Sequence, residues 1–177
     1  MMVLEHLFER EERRIMAYPT TETLLQSFNT THRIIKMQTD GLTHADSLLQ
    51  LPFRGNCLNW VLGHIVVGRN SVLKLLEASA VWGELETARY VAGSEPITND
   101  EQALPFERLL KDLDESQQRI TTVLEQSSSE ALGKLVKTRQ GEQPAGKLVA
   151  GLHWHETYHT GQLELLRQLA GKNDAIV

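Results

Sequence analysis

The sequence predicts an all-α fold, an antiparallel four-helix bundle with a short N-terminal appendage. Three observations lead there. Four segments repeat apolar residues at steps of three and four. Proline and glycine stand near the ends of those segments, where they start and stop helices. No run of alternating β-branched residues supports a sheet. The chain has 177 residues, a length that suits one domain. Four long amphipathic helices hide their apolar faces most simply by packing on each other. The expected division is an appendage over residues 1–18 and a bundle over residues 19–177.

The first helix is expected from about Thr21 to Gln38, with Leu24, Leu25, Phe28, Ile34 and Ile35 apolar, between Pro19 and Gly41. The second runs from about Cys57 to Ala78 through Leu58, Val61, Leu62, Ile65, Val72, Leu75 and Leu76, with Asn56 as a candidate N-cap. The third runs from about Pro105 to Gln126, and Pro105 suits a first turn. The fourth runs from about Ala145 to Ala170, after Pro144, with Gly171 placed as the residue beyond the end. Among the connectors, Leu48, Leu49 and Leu51 suggest one helical turn before Pro52. The Ser79–Leu104 connector is long, and such loops are uncommon unless functional or partly ordered. Ser127–Gln143 carries Leu132, Leu135 and Val136, suited to covering one end of the bundle. The appendage reads either as a short amphipathic helix, with Leu4, Leu7 and Phe8 on one side, or as translated leader before a natural start at Met16.

Composition narrows the function classes. The formal net charge is -5, so there is little material for the basic face that binds nucleic acid. No apolar run is long enough to cross a bilayer, and the charged N-terminus does not resemble a secretory signal. One cysteine, Cys57, excludes an internal disulfide framework and a multi-cysteine zinc site. A soluble cytoplasmic protein is the expectation, and seven histidines point any metal site towards imidazole.

His155 and His159 are four apart on the fourth helix, about 40° round and about 6 Å along it, so they face the same way and can share one metal. His153 lies about 200° from His155 and cannot join them. The expected seam is Leu148, Leu152, His155, His159, Gln162, Leu166 and Leu169, which places both rings inward. A buried neutral imidazole needs partners for two nitrogens, and a metal satisfies one of them. The other helices carry similar polar interruptions: Thr31 and His32, His64 beside Trp60, and Ser116 with Gln117. Antiparallel packing brings these to one level, so a polar pocket is expected inside the bundle. By itself, His64 more often reads as a hydrogen-bonded, partly buried residue than as a ligand. His6, His44 and His153 read as surface or loop residues.

His155-Glu156-Thr157-Tyr158-His159 also matches H-E-x-x-H, the zinc-protease signature in which the glutamate is the general base. The context disfavours it. No later histidine follows His159, Glu164 sits at an unfavourable angle, no strand aligns a peptide, and Glu156 is expected to point away from the seam centre.

Asn59-Trp60-Val61-Leu62-Gly63-His64-Ile65, followed by His155-Glu156-Thr157-Tyr158-His159-Thr160-Gly161-Gln162-Leu163, resembles the DinB-like (DinB/YfiT-like) family of metalloenzymes over about Thr21–Gly171. That family shows a histidine late in a W-x-x-x-H segment and then H-x-x-x-H-x-G-Q. The resemblance implies an up-down-down-up four-helix bundle and a divalent metal, often zinc or nickel, held by His64, His155 and His159. It also implies homodimers, and its members include thiol-dependent transferases and isomerases.

Three neutral imidazoles leave a dication open to a further ligand, as in catalytic rather than structural zinc sites, and the pKa of a bound water or thiol falls. The expected function is therefore metal-dependent chemistry, hydrolysis or thiol S-transfer, on a small-molecule substrate, with a low-molecular-weight thiol as possible co-reactant. The alternative is a non-catalytic, stress-associated metal-binding bundle. Gln162, His32 and Gln117 are candidates for orienting ligands, His32 for a fourth ligand, and Trp60 with the Ser79–Leu104 connector for shaping the entrance.

Overall fold

The structure is a computed structural model, and it describes residues 18–174. The fold is mostly helical. Four long helices, α1 (Thr21–Thr39), α3 (Leu58–Leu75), α5 (Phe106–Gln126) and α7 (Ala145–Leu169), lie within one to three residues of their expected limits. The shorter elements are α2 (His44–Ser47), α4 (Glu84–Tyr90), α6 (Ser129–Gly133) and a hairpin of β1 (Leu135–Thr138) and β2 (Gly141–Pro144).

Each of α1 and α3 packs on both α5 and α7. Along α1, Asn29 meets Gln117 and Lys36 meets Asp114, so α1 and α5 run in opposite directions. Thr31 meets Glu156 and the Gln38 carbonyl meets Arg167, so α1 and α7 run together. Asn59 reaches the Leu104 carbonyl just before α5, and Arg69 reaches Leu113, so α3 and α5 run together. Two apolar clusters fill the interior. One gathers Ile35, Leu62, Leu109, Leu113 and Leu163 at one end, and the other gathers Leu24, Phe28, Leu73, Ile120 and Val149 at the other. Thr31, Arg69, Ser116 and Glu156 are buried at the level between them.

Three expectations are corrected. The turn predicted at Leu48–Leu51 forms earlier, at His44–Ser47, because Thr43 and Asp46 make a reciprocal capping box. A sheet does exist, two antiparallel strands pairing Leu135 with Pro144 and Thr138 with Gly141. It is too short to give a sequence pattern, and its turn needs Gly141, at φ +103°. The Ser79–Leu104 connector agrees with its reading as a partly ordered segment. It holds α4 and a 3-10 turn at Asp100–Gln102, anchored by buried Trp82, Tyr90, Ile97 and Leu104.

The third correction concerns the seam of α7. Its buried residues are Ala145, Gly146, Val149, Glu156, His159, Thr160, Leu163, Leu166 and Arg167. Leu148, Leu152 and His155 are only half-buried, and Leu169 is exposed. The inward arc is therefore centred near Glu156, one position round from the expected line. A lone helix gives no reason to bury a glutamate; Arg69 on α3 supplies one. The expected appendage, with His6 and the proposed start at Met16, lies outside the described residues except for Tyr18, which packs against Gly133 and Gly146.

Candidate metal centre

α3 and α7 bring His64, His155 and His159 together. One nitrogen from each lies within 4.8 Å of the others. The rings stand nearly perpendicular to one another, with centroids 4.5–5.1 Å apart. His64 and His159 are buried and His155 is half-buried.

Hydrogen bonds decide which nitrogens face inward. His64 Nδ1 donates to the Tyr90 carbonyl at 2.6 Å. His159 Nδ1 donates to Gln162 Oε1 at 2.7 Å. In a neutral ring the other nitrogen is then a bare acceptor, so Nε2 of both rings presents a lone pair. His159 Nε2 faces His155 Nε2 at 3.1 Å. Tetrahedral ligation with metal–nitrogen bonds of about 2.0–2.1 Å sets ligand nitrogens about 3.3 Å apart. The donor set thus fits a divalent ion in its chemistry, in the tautomers of His64 and His159 and in the spacing of the His155–His159 pair. Burial lowers the pKa of His64 most, partly offset by the Tyr90 carbonyl. Burial likewise lowers that of His159 from 6.5 to about 4, against the raising effect of Gln162. Both rings are accordingly neutral at pH 7, the form a metal binds.

Sequence reasoning passed over the device that aims His64. Trp60 stacks on its ring, with centroids 4.6 Å apart. Tyr90 lies flat on α3 beside Gly63; a Cβ there would stand 2.2 Å from the Tyr90 ring. The Tyr90 hydroxyl donates to Asn59 Oδ1 at 3.0 Å and accepts from the Leu104 N–H at 2.8 Å. Asn59, Gly63 and His64 therefore act together: the first two seat Tyr90, whose carbonyl orients the third. A glycine in mid-helix was the available signal, since it marks close approach of another group. Gly63→Ala is expected to cost about 1–3 kcal/mol in urea unfolding by overpacking the Tyr90 ring.

The predicted polar level divides into two structures. One is the histidine cluster. The other is a closed ionic layer around Arg69, which is fully buried. Arg69 Nε and Nη2 bond Glu156 Oε2 and Oε1 at 2.9 and 2.8 Å, and Thr31 Oγ1 donates to Oε1 at 2.8 Å. Arg69 Nη1 reaches the Leu113 carbonyl, Ser116 and His32 Nδ1. His32 belongs to this layer and pairs through Nε2 with Asp114 at 3.2 Å, so it is not a fourth member of the cluster. Gln117 bonds Asn29 and Thr121, away from the cluster. Of the three candidates for orienting a ligand, Gln162 alone touches a cluster histidine. The H-E-x-x-H reading fails at Glu156, whose two oxygens are held by Arg69 and Thr31. His44 and His153, read as surface or loop residues, are both partly buried. His44 accepts from the Phe106 N–H and meets Asp100, while His153 is half-buried with its ring edge-on to Phe28.

A cavity of about 720 Å³ opens against the cluster. Trp60 lines it together with Ala92, Gly93, Ser94 and Pro96 from the long connector, and the Trp60 indole N–H bonds Ser94 Oγ at 2.9 Å. The entrance is thus built where the sequence suggested.

Comparison with known families gives a match between residues 28–163 and the model described as the DinB superfamily. The chain belongs to the DinB superfamily. A structural neighbour of this DinB chain is described as the "Crystal structure of the conserved protein of locus from Enterococcus faecalis". It superposes with a TM-score of 0.66 over 87% of this chain and 98% of that one, at 17% identity, a likeness of fold alone. No curated protein matches the chain. Among the described residues, no helix is long and apolar enough to cross a membrane.

Proposed function

We propose that this DinB superfamily member is a divalent-metal-dependent enzyme, with His64, His155 and His159 holding one zinc or nickel ion at the wall of its cavity. The observation that carries the reading is the direction of the lone pairs. Two rings have their outer nitrogens tied to Tyr90 and Gln162, which leaves their inner nitrogens bare towards a common point. An ion bound there supplies Lewis-acid chemistry, lowering the pKa of a water or small thiol so that it becomes a nucleophile near neutral pH.

The chain's own residues do the rest. Gln162 fixes the tautomer and tilt of His159, and Tyr90 does the same for His64. The cavity is of a size for a small-molecule substrate. Cys57 is buried, with its thiol pushed up in pKa chiefly by burial, so a reacting thiol comes from outside the chain. The alternative, a structural ion without turnover, calls for a fourth protein ligand. His32, the candidate for that part, is engaged by Arg69 and Asp114.

The reading extends to the whole molecule. We take residues 19–177 as one antiparallel bundle in up-down-down-up order, supported by the contact directions of the four long helices. We also take the protein to be a cytoplasmic homodimer without nucleic-acid or membrane partners. Trp154, Tyr158 and Leu165, 71%, 58% and 62% exposed along one side of α7, suit the seat of a second copy. Elemental analysis of the native protein, combined with a transfer screen using low-molecular-weight thiols, tests the function. Gln162→Met is expected to weaken zinc binding about 10–100-fold by calorimetry while the fold persists.

A further inference from the structure

The cavity beside the histidines has a charge pattern opposite to that of the chain. The protein carries 23 acidic against 18 basic residues. Yet the described residues lining the cavity include one arginine, Arg54, and no lysine, aspartate or glutamate. Arg54 comes from the exposed loop before α3, and the three histidines form part of another wall. Much of the remaining lining is apolar: Leu51, Trp60, Val61, Pro96, Leu165 and Leu166. Arg54 is itself exposed at the rim, so its guanidinium acts on a ligand through direct hydrogen bonds and not through a lowered dielectric. Guanidinium groups match carboxylates with two parallel hydrogen bonds. Among the described residues, no carboxylate lines the space to compete for it.

We propose that the cavity binds a small amphipathic organic acid, its carboxylate on Arg54, its apolar body between Trp60, Pro96 and Leu165, and its far end at the three histidines. This rests on the metal-centre reading for the role of the far end, whereas the Arg54 contact stands without it. The substrate class is then an organic acid with an apolar middle, and neutral analogues are poor ligands.

The test uses the full chain, metal-free and zinc-loaded, with 4-phenylbutyrate and its uncharged amide as probes, followed by calorimetry and tryptophan fluorescence. The acid is expected to bind metal-free protein about 10–100-fold more tightly than the amide. Arg54→Gln removes that preference without changing amide binding or zinc affinity, and Arg54→Lys restores part of it. Equal affinity for acid and amide, an unchanged preference in Arg54→Gln, or no binding of the acid at millimolar concentration overturns the proposal. Failure of the wild type to bind zinc sinks the metal reading instead, and leaves the acid–amide comparison in metal-free protein to be judged separately.

Discussion

Arg69→Met alone is expected to lower the unfolding free energy by about 3–5 kcal/mol, because it leaves the buried Glu156 carboxylate without its counter-charge. Glu156→Leu alone should cost a similar amount, since it strands a fully buried guanidinium. The double variant is expected to recover most of the loss, because a buried ion pair replaced as a unit by apolar side chains costs little. Urea unfolding of the three variants and the wild type gives the coupling directly. The same pair sets an acid limit. Burial pushes the Glu156 carboxyl up, but the Arg69 charge and the hydrogen bonds from Arg69 and Thr31 outweigh it, so the net pKa is lowered. A carboxyl with a lowered folded pKa contributes stability above its ordinary value of 4.5 and loses it as the pH falls through the folded value. The wild type should therefore lose stability below about pH 4.5, and Glu156→Gln should flatten that part of the profile.

The second large effect is stabilisation by metal. Free zinc at about 100 times its Kd is expected to add about 2.7 kcal/mol to the unfolding free energy, because the unfolded chain does not hold the three nitrogens together. Alanine at His64, His155 or His159 should remove most of that gain, whereas His32→Ala should keep it. The sign with pH follows from burial. His64 and His159 have lowered pKa values, so each contributes stability above 6.5 and loses it as the pH falls, for His159 through about 4. Protons compete with the ion for the same nitrogens, so the gain in Tm from zinc should be large at pH 7 and shrink as the solution becomes acidic. Thermal unfolding with and without zinc across that range checks both the size and the direction.

The parts of this molecule that could be read from the sequence are those governed by local patterns. Pro105 and Pro144 start helices, Gly171 follows one, and leucine periodicity runs between such signals, so the four long helices fall near their expected positions. The pairing of His155 with His159 is a property of one helix turn and was visible for the same reason. Glu156 was misplaced because its orientation is decided by Arg69 on another helix, not by its neighbours in the chain. Arg69 lay on the apolar line between Ile65 and Val72, and that was the signal to heed. Tyr90 was hidden in a connector without periodicity, and its role emerges only when its ring lies on Gly63 and its carbonyl meets His64. The hairpin has too few residues to show an alternation.

Isothermal titration of zinc and nickel into the metal-free protein at pH 7, beside a His64→Ala variant checked for helix content by circular dichroism, bears most directly on the metal centre. The expected result is one tight equivalent per chain in the wild type and its loss in the folded variant. A folded wild type that takes up no ion, or a variant that binds as tightly as the wild type, would contradict the three-histidine site.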